Sequence, residues 1–316
     1  MRTLSHAGAG RRLLGIIGTT LLVASLAACS AAAATPAPTD APGQTPAATS
    51  AATAAPSPAG SKDIILATTT STQDSGLLDE LVPAFEAASG YAVKTVAVGS
   101  GAAIKMGAEG NADVLLVHSP ATERELMAAG SGVDRRLVMH NTFLLVGPAA
   151  DPAGIKGMTA AADAFTRIAD SSSAFVSRGD GSGTETKELD YWKTLGITPD
   201  PAWYVQSGQG MAATLQVASE KAAYTLVDIA TWAALRGNLS LEALVDGDPS
   251  LLNIYHVIGV NPASWPKVNA EGAKSFGDYL VSAEGQAIIG AFGQDTFGMQ
   301  LFVPDAGKTE DSLTTP

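Results

Sequence analysis

From Asp63 to about Gly293, short apolar runs alternate with amphipathic ones, and this alternation restricts the fold more than any other feature of the sequence. DIILAT reads as a strand, TTSTQDSG as punctuation, and LLDELVPAFEAASG as an amphipathic helix closed by Gly90. YAVKTVAVG and the fully apolar ADVLLVHS read as strands, each followed by a helical run. RRLVMHNTFLLVGP reads as one strand or two, and FLLVG has the composition of a central buried strand. MTAAADAFTRIADS is helical, AFVS a strand, TETKELDYWKTLG a helix, and WYVQS and AAYTLVD are strands around the helix GMAATLQVASEK. LLNIYHVIGVNP is a long strand, and AEGAKSFGDYLVSAEGQAIIGAFG supplies two helices. Strands alternating with helices imply an α/β fold with parallel sheets covered on both faces. A chain of 316 residues is too long for one such sheet, so two α/β lobes are expected.

The stretch before Asp63 has another character. Arg2, Arg11 and Arg12 form a basic region, followed by the apolar run LLGIIGTTLLVASLAA. Cys29, the single cysteine, follows Leu26-Ala27-Ala28, which resembles the lipobox of bacterial lipoproteins. Residues 1–28 therefore read as a lipoprotein signal peptide, with Cys29 lipidated and the protein extracytoplasmic and anchored to the cell membrane. Residues 29–61 are Ala, Thr and Pro with almost no charge, the composition of a disordered linker. One cysteine also excludes an internal disulfide and a thiol-based metal cluster. The net charge of -12 argues against nucleic acid and anionic membrane surfaces, but not against a small anion held by local donors.

In open parallel sheets ligands sit at the carboxyl ends of strands, where the chain turns into helices. Four such turns are rich in donors: residues 68–71, 99–101, 178–184 and 207–210. Helix N-termini leave N–H groups unpaired and carry about half a positive charge. Glycines let an anion approach the backbone, and Ser and Thr hydroxyls add donors. Arg178 supplies a full charge on a rigid fork. Taken singly, each turn has a structural reading. Ser and Thr before a helix are N-caps worth about 1 kcal/mol each, and Arg178 could pair with Asp180 or Glu185. The recurrence of four donor-rich turns favours an oxyanion cradle.

Enzyme readings are poorer. His118 ends a strand, while His140 and His256 lie inside apolar strands, where satisfied core residues are expected. There is no HExxH, GxSxG or P-loop pattern. Gly208-x-Gly210-x-x-Ala213 matches a dinucleotide pattern, but the strand before it is short and it is not the first βα turn. No enzyme activity, cofactor or metal is expected.

ATTTSTQDSGLLDELVPAFE, AVGSGAAIKMGAEGNADVLLVHS, FVSRGDGSGTETKELDYWKTLGI, SGQGMAATLQVASEKAAYTLVD and LFVPDA closely resemble the TupA-type tungstate-binding lipoproteins of ABC importers, in order across residues 63–306. The resemblance implies a type II periplasmic-binding-protein fold, with two lobes, each a mainly parallel sheet flanked by helices, and the ligand in the cleft. It implies lobe one at 62–141 plus 254–306, lobe two at 142–253, and a flexible tail at 307–316. It implies a monomer that captures tungstate or molybdate and delivers it to an ABC permease with its ATPase. The ligand residues it implies are Thr69, Thr70 and Ser71 of the first loop, Arg178, Ser182, Gly183 and Thr184 of SRGDGSGT, Ser100 of VGSGAA and Thr225 of YTLVD. Two positions depart from the family pattern: Glu185 stands where histidine is usual, and Ile229 where a basic residue is usual. Glu185 is expected to point to solvent in the first helical turn.

RGDGSGT also resembles the loop of phosphate-binding proteins, in which an aspartate accepts the proton that phosphate retains. Tungstate and molybdate are bare dianions near neutral pH and only accept hydrogen bonds. Asp180 is therefore the discriminating residue: aimed at the ligand it favours phosphate, and aimed at backbone N–H groups or Arg178 it favours tungstate. A phosphate importer component, or an oxyanion sensor on the same fold, is the alternative.

Overall fold

The computed structural model describes residues 61–314. The signal segment, Cys29 and the linker up to residue 60 lie outside the described residues. The elements are β1 (Asp63–Thr69), α1 (Thr70–Asp74), α2 (Leu77–Ser89), β2 (Ala92–Val98), α3 (Ser100–Ala108), β3 (Val114–Val117), α4 (Pro120–Ala128) and β4 (Gly132–Gly147). There follow α5 (Ala161–Asp170), β5 (Phe175–Ser177), α6 (Gly183–Thr194), β6 (Tyr204–Gln206), α7 (Met211–Glu220), β7 (Thr225–Asp228), α8 (Ile229–Leu235) and β8 (Glu242–Val245). The chain closes with β9 (Leu252–Val260), α9 (Ala270–Leu280), α10 (Ala283–Ala291), α11 (Gln294–Phe297), β10 (Val303–Pro304) and α12 (Glu310–Thr314).

The expected alternation is present, and its parallel pairings are β1 with β2, β1 with β3, and β5 with β6. The remaining ladders are antiparallel, so the sheets are mixed. β9 runs against both β3 and β4, and β7 and β8 run against β4. All of these except β3 with β9 involve β4, which forms a single strand of 16 residues. Its first part pairs with β9 as far as Thr142↔Leu252, and from Phe143↔Asp228 onward it pairs with β7. One strand thus leaves one sheet, where it lies between β9 and β10, and enters another, where it pairs with both β7 and β8.

Four apolar clusters form the interior of the described residues, two of them large. One gathers Leu66, Phe85, Tyr255, Phe276 and Phe302. The other is aromatic: Trp192 meets Phe165 and Phe175 edge-on, at centroid separations of 4.6 and 5.4 Å. Such pairs contribute about 0.5–1.5 kcal/mol each beyond the area they bury. The two remaining strand histidines are satisfied, as expected of core positions. His140 Nδ1 lies 2.6 Å from Asp305, and His256 Nδ1 lies 2.9 Å from Glu123. The segment from 307, expected as a flexible tail, carries α12, whose Glu310 pairs with Arg135 at 2.7 Å and Arg124 at 3.2 Å.

Candidate functional site

The four donor-rich turns meet. Loop 178–184 lies against each of the other three: Arg178 Nη2 donates to Thr70 Oγ1 at 2.7 Å, Gly101 N to the Gly181 carbonyl at 2.9 Å, and Gly208 N to the Arg178 carbonyl at 2.8 Å. Gly183 N donates to Ser100 Oγ at 2.9 Å. The approach is close enough to require glycine. A Cβ at Gly99 would lie 2.7 Å from the Asp180 carbonyl oxygen, and one at Gly183 would lie 2.7 Å from His118 Nδ1. The two lobes are therefore closed on each other at this point.

At the centre stands Arg178, only 1% exposed. Its Nη2 is shared between Thr70 and Asp180, while Nε and Nη1 have no protein partner. The Thr184 hydroxyl is likewise buried and unpartnered. Buried charged donors without acceptors cost several kcal/mol, so a ligand that accepts from all of them recovers a large desolvation penalty.

Asp180 is occupied at both oxygens. Oδ2 holds Arg178, and Oδ1 accepts from Ser182 N at 3.2 Å. Glu185 departs from expectation. It is buried rather than turned to solvent, and its carboxylate accepts from Gly181 N. The physical reason is the turn itself. Gly179 and Gly181 have positive φ, and the backbone N–H groups of the turn face inward. Glu185 and Asp180 cap two of them, and Ser100 caps the Gly183 N–H. Ser182 Oγ in turn N-caps α6 by accepting from Glu185 N at 3.2 Å. The backbone donors of 181–183 are thus spent inside the protein, which leaves the guanidinium and the hydroxyl protons for a ligand.

The first loop contributes Thr69 and Ser71, both buried, with Thr69 Oγ1 capping α1 through Thr72 N at 3.2 Å. Thr225 stands apart. It opens β7 opposite Val146, three residues or roughly 10 Å of strand before Asp228. Ile229 begins α8 and packs, partly buried, against the apolar core, so no charge occupies that position.

Three titratable residues at the site escaped sequence reading. His118 is buried, and its Nε2 lies 3.1 Å from Thr69 Oγ1 and 3.3 Å from Ser71 Oγ. Burial, and then the Arg178 charge, push its imidazole down to about 3, so the ring is neutral. Its position immediately after β3 obeys the same end-of-strand rule that identified the other loops. Asp228, at the end of β7, caps α8 through Ala230 N and Thr231 N, and burial raises its carboxyl. Asp74 accepts from Ala212 N of α7 at 3.4 Å and is likewise raised by burial. Both feel the Arg178 charge.

Residues 41–284 match the model of a PBP superfamily domain. The tungstate-binding protein TupA of Peptoclostridium acidaminophilum is 48% identical over 247 residues, which covers 78% of this chain and 86% of that protein. Among solved structures, a tungstate-binding protein TupA from Desulfovibrio alaskensis G20 is 46% identical, with a TM-score of 0.64 over 77% of this chain and 99% of that one. A tungstate ABC transporter structure from Geobacter sulfurreducens is 44% identical, with a TM-score of 0.68 over 73% of this chain and 98% of that one.

Proposed function

The chain belongs to the PBP superfamily and, within it, to the TupA family, and from that premise we propose that it captures tungstate or molybdate between its two lobes for an ABC permease. The observation that carries this reading is the buried Arg178, whose Nε and Nη1 are unpartnered, as is the buried Thr184 hydroxyl of the same loop. Ser71, Ser182, Thr70 and Ser100 supply the surrounding hydroxyls. Asp180 directs one oxygen at Arg178 and the other at Ser182 N, an orientation toward the scaffold that supports a bare dianion over phosphate. A nanomolar complex needs about 12 kcal/mol. Hydrogen bonds to a charged group contribute about 1.5–3 kcal/mol each, so a handful offset desolvation and closure.

In this reading lobe one is 62–141 with 254–306, lobe two is 142–253, and the anion joins them by shifting an open–closed equilibrium toward closed. The protein acts as a monomer without catalysis, tethered outside the cytoplasm by a lipid on Cys29 and presented by the linker. Titrating tungstate into the full chain and into Arg178→Ala tests the site. Tight binding by the first and at least about a hundredfold loss in the second support it. Equal binding by both would remove Arg178 from the site.

A further inference from the structure

Behind the cradle lies a group of buried polar side chains that anion binding does not use directly: Thr69, Thr72, His118, Asn253 and Tyr255. Thr69 Oγ1 lies 3.1 Å from His118 Nε2 and 2.7 Å from Thr72 Oγ1. The Tyr255 hydroxyl faces Thr72 and accepts from Asn253 Nδ2 at 3.0 Å. Asn253 Nδ2 also donates to Asn141 Oδ1 at 2.8 Å. Three atoms are left over: His118 Nδ1, Asn253 Oδ1 and Asn141 Nδ2 have no partner in hydrogen-bond geometry. The first two belong to neighbours. One step past the pair Val117↔His256, the β3–β9 register sets His118 opposite Tyr255, with Asn253 the diagonal residue on the same face. The His118 and Tyr255 rings are 4.8 Å apart, and the Asn253 amide interacts with the imidazole.

We propose that these side chains close a hydrogen-bonded circuit that fixes the His118 tautomer and leaves Ser71, not Thr69, as the first-lobe hydroxyl that donates to the anion. The circuit runs from Asn253 Nδ2–H to the Tyr255 oxygen, from Tyr255 O–H to Thr72, from Thr72 O–H to Thr69, and from Thr69 O–H to His118 Nε2. It closes from His118 Nδ1–H to Asn253 Oδ1. Thr69 Oγ1 then accepts from the Thr72 hydroxyl and from Thr72 N at 3.2 Å, and spends its one proton on the imidazole. Ser71, 3.1 Å from Thr69 and 3.3 Å from His118, lies outside the circuit and keeps its proton. His118 and Asn253 are positioning residues. Asn253 is the register partner of Asn141, where β4 crosses between sheets, so the hinge strand itself sets the polarity of the cradle wall. The step to Ser71 rests on the oxyanion reading, whereas the circuit does not.

The test is a long-range proton–nitrogen correlation spectrum of the full chain labelled with nitrogen-15 histidine, ligand-free, between pH 5 and 8. The result expected for His118 is a neutral ring protonated at Nδ1 throughout. An imidazolium, or a ring protonated at Nε2, overturns the circuit. In Asn253→Leu the Nδ1–H signature is lost and tungstate affinity falls about tenfold; an unchanged tautomer overturns the role of Asn253. Should that variant not fold, the wild-type spectrum still decides. Ser71→Ala weakens tungstate binding by about tenfold to a hundredfold, and unchanged affinity overturns the assignment of Ser71. If the spectrum shows the circuit but the wild-type chain ignores tungstate, the oxyanion reading fails and the circuit stands.

Discussion

Asp180 grips Arg178 through one carboxylate oxygen and the Ser182 N–H through the other, so this acid belongs to the scaffold that aims the guanidinium. The prediction is that Asp180→Asn weakens tungstate binding by about tenfold to a hundredfold, because Arg178 loses a charge-assisted partner that holds its plane. If Asp180 instead faced the ligand, its neutralisation would remove a repulsion and tighten binding. Calorimetry of the variant separates the two by the sign of the change alone.

Closure depends on a bare backbone at Gly99. Its conformation suits any residue, at φ -64, but an added Cβ would lie 2.7 Å from the Asp180 carbonyl oxygen of the other lobe. Gly99→Ala is therefore expected to fold normally and to resist closing. Its thermal midpoint without ligand should stay within about 2 °C of the parent, while tungstate affinity falls at least tenfold and small-angle scattering shows less compaction on adding tungstate. A variant that closes and binds as the parent does would mean that the contact is not a closure contact.

Glu188 lies under the anion loop on α6, where its Oε1 accepts from Trp192 Nε1 at 2.9 Å and from the Tyr204 hydroxyl at 2.7 Å. Burial raises its carboxyl from 4.5 to about 7. The unfolded chain gives up this proton near 4.5 and the folded one near 7, so between those values the folded state binds more protons and stability falls as pH rises. Glu188→Gln keeps the accepting oxygen and removes the titration. Denaturation of this variant should show a flatter stability profile from pH 5 to 7 and greater stability than the parent at pH 8. A parallel profile for the two proteins would place the ionisation elsewhere.

Glu123 is fully buried and carries three partners: Arg135 through Nη2 at 2.8 Å and Nε at 3.0 Å, His256 Nδ1 at 2.9 Å, and Ser119 N at 2.7 Å. Glu123→Ala leaves Arg135 with Glu310 alone and takes the acceptor from Ser119 N, and breaking a buried pair from one side costs about 3–5 kcal/mol. Chemical denaturation should show a loss of that size. A loss under about 1 kcal/mol would mean that solvent or Glu310 compensates the arginine.

Much of this was legible in the sequence because it followed local rules. Strands such as DIILAT and ADVLLVHS announce themselves by apolar runs, and the turns 178–184 and 207–210 by glycine and hydroxyl content. What escaped was set by tertiary approach. His118 reads as the end of a core strand until β1 and β3 pair and bring its ring to Thr69. Glu185 reads as an exposed first-turn acid until the positive φ of Gly181 is seen to turn the backbone N–H toward it. The partner change within β4 has no local signature either, since a strand shared by two sheets continues without a break in the chain. That strand also brings most of the antiparallel ladders that alternation alone does not foretell.

The most direct test of the account is calorimetric titration of the full chain with tungstate and, separately, with phosphate at pH 6 and pH 8. A site of hydrogen-bond donors around Arg178, with Asp180 already engaged, predicts nanomolar tungstate binding at both values and no phosphate heat at either. Tight phosphate binding with weak tungstate binding would contradict it, and would make Asp180 the acceptor of the ligand's proton.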